Sequence, residues 1–311
     1  MGAQSHPKSA SAPLYWAIMQ PSRTANGPVG SAAILEAAAA LCMAEAGTSS
    51  PARLISLLCD ERLNAGDLAV KIEAHPVLSA RVLQVANSPY YGQVRSVATI
   101  KRALQLLGIN AVRGIAAAAF IDQVIPRRVA TLPDTQSLLR HSLATAIACE
   151  MLATRVHPLL APDAFIAGLL HNLGTVVQAS LDPAGTAAII AARASDPHGA
   201  IRSLEQQHCQ LHHEVCGAVL FDAWQLPDSL VNVAMHHHEP NDAPDSQRQL
   251  VGLVWAGANL ALSCANTFSL EPAVAGLDYA KMLALGLRKH DIDAAATELP
   301  ERVELLSRAL T

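Results

Sequence analysis

Beyond residue 30, apolar residues recur at helical spacing along almost the whole chain, and no pair of alternating runs reads as a hairpin. That single pattern restricts the fold to the all-α class. His75-Pro76 opens one helix, with proline suited to the first turn. Val77, Leu78, Val82, Leu83, Val85 and Ala86 give it a wide apolar stripe. Ser96 is placed to cap the next helix, where Val97, Ile100, Leu104 and Leu107 share a face and Gly108 ends it. Asn110 can cap another, running to about Ile121. Pro126 and Pro133 bracket a break. Asp134 then starts a long helix to Val156, apolar on more than one side and therefore central. Pro162 and Gly174 enclose a compact helix, and others follow near 183–195, 198–208, 212–224, 227–238, 247–265, 277–287 and 296–309.

The organisation expected is a flexible Ser/Pro/Ala/Gly-rich lead over residues 1–30, a helical N-terminal subdomain over 31–130, and a larger helical bundle over 131–311. Hydrophobic residues make up 51% and charged residues 15%, which excludes a disordered chain. A net charge of −4 gives no general attraction to nucleic acid. The cysteines at 42, 59, 149, 209, 216 and 264 form no C-x-x-C pair, and most sit in apolar runs as small hydrophobes. The first 30 residues lack the layout of a secretion signal, so a reducing cytoplasm is expected. No apolar run of about 18 residues is evident, so no membrane span is expected.

The chemistry-bearing residues are histidines. Six of the thirteen fall between 208 and 238. His212-His213 opens one helix, and His236-His237-His238 closes the next. His141 lies in the first turns of the central helix, and His171 ends its own helix with Gly168 on the same face. A glycine there admits a neighbouring helix closely. Histidines at helix ends commonly do no more than cap carbonyls. Several converging on one face would instead suggest metal or phosphate chemistry.

The order of these pieces resembles the HDOD proteins, a regulatory branch of the HD superfamily. Arg81 to Gly92 looks like that family's N-terminal signature, and Ile100 to Ile109 like the helix after it. Leu139-Arg-His-Ser142 matches the upstream His motif, and Gly168-Leu-Leu-His-Asn-Leu-Gly174 matches the His-Asp motif with Asn for Asp. His213, Gly217, Trp224, Leu226-Pro227 and His237-His238 match the next stretch. Ala258-Asn-Leu-Ala261 falls where HD enzymes place their last Asp. The resemblance implies an HD-like helical bundle with a helical N-terminal subdomain and a signalling role, often in two-component or cyclic-dinucleotide pathways. It maps the metal ligands of HD enzymes onto His141, His171, Asn172 and Asn259, with both acids replaced by amides. Such a set leaves a divalent cation uncompensated and removes the carboxylate that would take a proton from metal-bound water. The expectation is therefore a non-catalytic module with a vestigial site and no cofactor. His213, His237 and His238 are auxiliary histidines that could hold an adventitious divalent ion.

The partner expected is a signalling protein or a small ligand. Asn87, Tyr90, Tyr91 and Arg140 form a candidate recognition surface. Their plainer role is a helix stop and a plug between subdomains. Two other classes stay open. One is a metal-dependent HD-type phosphohydrolase, which the two amides oppose. The other is a nucleic-acid-binding regulator. Arg95, Lys101, Arg102, Arg113, Arg127 and Arg128 stand against a single acid, Asp122, around a helix–Gly108–helix arrangement. The apolar second helix, from Ala111, argues against its entry into a groove.

Overall fold

In the computed structural model, the described residues are 58–118 and 135–310, apart from 59, 61, 90, 93–95, 110, 210, 265–267, 269 and 275. The proposed flexible lead, Tyr90, Arg95, Asn110, Pro126, Arg127, Arg128, Asp134 and the 130/131 boundary lie outside them. Among the described residues there are helices and no strand.

Three helices form the N-terminal part: α1 (Ala65–Glu73), α2 (Pro76–Ala86) and α3 (Ile100–Leu107). Leu68, Ile72, Val82, Val85, Ile100 and Leu104 bury their shared interior. Thr99, not Ser96, caps α3, because its hydroxyl accepts from the Arg102 amide three residues on. Gly108 ends α3 at a φ of 84°, a conformation open to glycine. Residues 111–118 are helical and largely buried.

The bundle follows, with α4 (Thr135–Val156), α5 (Ala161–Leu170), α6 (Gly174–Leu181), α7 (Pro183–Ser195) and α8 (Ile201–His208). After these come α9 (His213–Ala223), α10 (Asp228–His236), α11 (Arg248–Ser263), α12 (Tyr279–Ala284) and α13 (Lys289–Leu310). Helix α4 is central, packed by α5, α11 and α13. Two glycines make this possible. A Cβ on Gly168 of α5 would meet Ala146 Cα at 3.0 Å, and one on Gly257 of α11 would meet Cys149 N at 3.0 Å. Both helices thus lie backbone-close against the same two turns of α4.

Helix α13 starts seven residues before the expected 296. Ile292, Ala295, Leu299, Val303 and Leu306 form one buried stripe that runs through Pro300. Burial of that stripe against α4 outweighs the proline penalty, about 3 kcal/mol. The same helix also packs on α2, so the hydrophobic core is continuous from the N-terminal part into the bundle.

One segment is more continuously apolar than the sequence reading allowed. Pro158–Leu181 is long and apolar enough to cross a membrane by length and composition, but 89% of its apolar window is buried inside the fold. It is apolar because it sits between α4 and α9–α10, and it is interrupted at the turn after His171.

Candidate functional site: a histidine cluster closed by one carboxylate

The histidines of four chain segments converge. His141 projects from the second turn of α4, and His171 is the C-cap of α5. His213 is the first residue of α9, while His237 caps α10 and His238 follows it. Ring centroids are 5.4 Å apart for His141–His171, 5.1 Å for His171–His237, 5.2 Å for His213–His237 and 5.1 Å for His213–His238. The turn that delivers His213 depends on close backbone approach. A Cβ on Gly174 would collide with the His213 carbonyl oxygen and stand 2.5 Å from Gly217 N.

Most rings are fixed by the nitrogen facing away from the cluster. His171 Nδ1 donates to the Gly168 carbonyl at 2.7 Å, and His237 Nδ1 to the Ala234 carbonyl at 2.9 Å. His213 Nδ1 lies 2.6 Å from Glu205 Oε1. Glu205 is itself held by the Gln178 amide at 2.7 Å. Each of these bonds turns an Nε2 inward. Nε2 of His171 and Oδ1 of Asn172 are buried and have no hydrogen-bond partner among the described residues.

The ligand set that the resemblance maps holds no acid, but the fold brings one to the site. Glu271 is buried and contributes a carboxylate to two overlapping sets, His213/His237/His238/Glu271 and His141/His171/Glu271. Asn172 donates to Glu271 Oε1 at 2.8 Å. Asn259 instead turns its amide back to the Trp255 carbonyl at 2.8 Å. Glu271 sits on a non-helical strap, Phe268 and residues 270–274, tied down from the other side. Buried Arg193 donates to the Leu270 carbonyl at 3.2 Å, and Ala273 N donates to the Pro197 carbonyl at 2.7 Å. Phe268 stacks on His141 with centroids 6.4 Å apart.

The electrostatics follow from burial and from two acids. Burial, then the neighbouring His141, lowers His171 to about 3. Burial, then the surrounding imidazoles, also holds His237 well below its ordinary value. Burial would lower His213 too, but the Glu205 carboxylate outweighs it and raises His213 to about 9. Burial opposes ionisation of Glu271, yet the surrounding histidines, His238 first, keep it below the usual carboxylate range. Of His171, His213 and His237, His213 alone is held toward its charged form.

A cavity of about 270 Å³ opens over the cluster, with His237, His238 and Glu271 in its lining. Asn259, Trp255, Arg202 and Lys281 also line it. Lys281 Nζ lies 4.7 Å from the Trp255 ring centroid, and Arg202 is paired with Glu214 at 2.6 and 2.9 Å.

Asn87, Tyr91 and Arg140 are not brought to this cavity. The Asn87 side chain ties the end of α2 to Val97, donating to its carbonyl at 2.9 Å and accepting from its amide at 2.7 Å. Tyr91 is half-buried against the core, and Arg140 pairs with Glu304 at 3.9 Å. Tyr90 lies outside the described residues.

Comparison with known proteins settles the relationship. The HDOD domain profile matches residues 48–240, which is more than half of the chain. The chain belongs to the HDOD family. The HDOD domain protein of unknown function from Geobacter sulfurreducens superposes with a TM-score of 0.72 at 20% identity, covering 88% of this chain and 97% of its own. A Shewanella amazonensis SB2B protein, provisionally assigned as a phosphohydrolase, gives 0.68 at 25% identity, covering 90% and 98%. A curated relative from Treponema pallidum (strain Nichols), itself uncharacterized, is 26% identical over 200 residues, 63% of this chain. The chain matches only 37% of that relative's length.

Proposed function

We propose that this HDOD chain is a non-catalytic signalling module, acting in the cytoplasm, whose cavity over the histidine cluster receives a small ligand or a partner's side chain. The observation that carries the reading is the Asn172–Glu271 hydrogen bond. Metal-dependent hydrolysis needs carboxylates for two tasks, balancing the cation and accepting a proton from bound water. Glu271 is the only carboxylate in the two histidine sets. Glu205 points its oxygens at His212, His213 and Gln178, away from the cavity. One acid cannot serve both tasks in the same step. Lys281 and Arg202 at the cavity wall favour an anionic group on the ligand.

One observation favours a second reading, phosphohydrolase activity. Glu271 restores a negative charge that the sequence had withdrawn, and the Shewanella protein assigned to that activity covers the same fold. The test is incubation with Mn²⁺, Mg²⁺ or Zn²⁺ and cyclic dinucleotides or model phosphoesters. No turnover is expected. Turnover that vanishes in His171→Ala would overturn the non-catalytic reading.

A further inference from the structure

Three Nε2 atoms in this cluster are packed unusually close together. Those of His237 and His238 each lie 3.2 Å from that of His213. His237 Nδ1 faces only carbonyl oxygens, of Ala234 and Val233, so it carries its ring's proton. His213 Nδ1 faces the Glu205 carboxylate and carries a proton for the same reason. The inward nitrogen of His237 is therefore a lone pair. That of His213 bears the proton that charges its ring in the metal-free protein, and without that proton the facing lone pairs would repel. A positive charge belongs between them, and a cation can take the proton's place. Glu271 Oε1 adds a fourth donor 3.7 Å from His238 Nε2, too long for a hydrogen bond.

We propose that His213, His237, His238 and Glu271 form a tetrahedral site for one borderline divalent cation of the zinc class. Bonds of about 2.0–2.1 Å to nitrogen or oxygen place the corners of such a tetrahedron about 3.3 Å apart. Three of the six edges, at 3.2, 3.2 and 3.7 Å, straddle that length, and all four donor atoms lie within 4.8 Å of one another, so that small side-chain adjustments close the tetrahedron. Three imidazoles and one carboxylate are donors of the right softness. The supporting hydrogen bonds are built as well. Glu205 orients His213, Asn172 holds Glu271, and backbone carbonyls hold His237. His238 is partly exposed to the cavity, which gives the ion an entry path. This set excludes Asn259 and takes its charge from the strap, so it differs from the set that the resemblance maps onto His141, His171, Asn172 and Asn259.

Cobalt(II) is the probe, because tetrahedral coordination gives it an intense visible spectrum and octahedral coordination a weak one. The full chain, without a polyhistidine tag, is stripped with chelator and titrated. One equivalent is expected to bind with the intense spectrum and to be displaced by Zn²⁺. Glu271→Gln, which keeps side-chain volume, and His238→Gln, at a partly exposed position, are each expected to weaken binding at least about tenfold. Circular dichroism checks that both remain helical. Asn259→Ala is expected to bind as the parent does. The proposal is overturned by no saturable binding, by a weak octahedral spectrum, or by Asn259→Ala losing as much affinity as the two ligand variants. It stands apart from the non-catalytic reading, since turnover would sink that one and the absence of a cobalt spectrum would sink this one.

Discussion

His213 shows how one buried side chain sets the behaviour of its neighbours. Glu205 raises it to about 9, against an ordinary value of 6.5. A raised folded-state value contributes stability that is fully present below about pH 6.5 and is lost as pH climbs toward 9. In chelator, the melting temperature should therefore fall across that window. Glu205→Gln removes the cause, so its melting temperature should be lower and nearly flat over the same range; an equally steep slope in that variant would place the titration elsewhere. At this scale the sequence was legible in part. His141, His171, His213, His237 and His238 could be read because they sit at helix ends in a recognisable order. Asn87 was legible as a helix stop, and its amide does that work. Glu271 was missed because no periodicity marks a residue on an irregular strap. A signal did exist: Glu271 is the single charged residue between 249 and 277. Such isolation in an apolar run points to a buried charge with partners.

Helices are positioned here by backbone proximity as much as by apolar stripes. Gly174 is the sharpest case, since a methyl group there meets the carbonyl of His213 and the backbone of Gly217, neither of which can rotate away. Gly174→Ala should destabilise by about 3 kcal/mol or more, the upper range for overpacking. In a chain of this size that is a drop of roughly 6–12 °C in melting temperature. Because the obstacle is the His213 backbone itself, cobalt affinity should fall in the surviving folded protein; a variant that melts normally would mean that α6 and α9 are not so close. Most helices were legible from periodicity, with α7 read to its ends. The N-terminus of α13 was not, because proline reads as a first-turn residue until the stripe on both sides of Pro300 is seen to be buried. The α3 cap moved from Ser96 to Thr99 for a simpler reason. Both residues can cap, and only the observed first turn decides between them.

For the whole molecule, the continuous core joining α2, α13 and α4 argues that the N-terminal part is no free-standing DNA reader. Of the basic residues that suggested one, Arg113 is buried and donates to the Asp60 and Leu63 carbonyls at 2.7 and 2.9 Å, which removes it from any phosphate contact. Lys101 and Arg102 are exposed, and Arg95, Arg127 and Arg128 lie outside the described residues. A labelled duplex should accordingly bind weakly even at about 50 mM salt. Micromolar binding that weakens about a thousandfold by 200 mM would show six or more phosphate contacts and revive the nucleic-acid reading. The all-α class and the bundle were legible because helical spacing runs through nearly every segment. The meeting of five segments at one cluster was not, since no local pattern records which helix ends share a space. The strap that closes the cluster carries Glu271 inward, while Pro272 and Val274 face the cavity. Thermodynamic linkage then follows. Any molecule that grips those two residues more tightly when the carboxylate is seated must strengthen cation binding, and the cation must strengthen its grip by the same factor. A strap of a few residues thereby makes the cavity and the imidazoles two readers of one equilibrium.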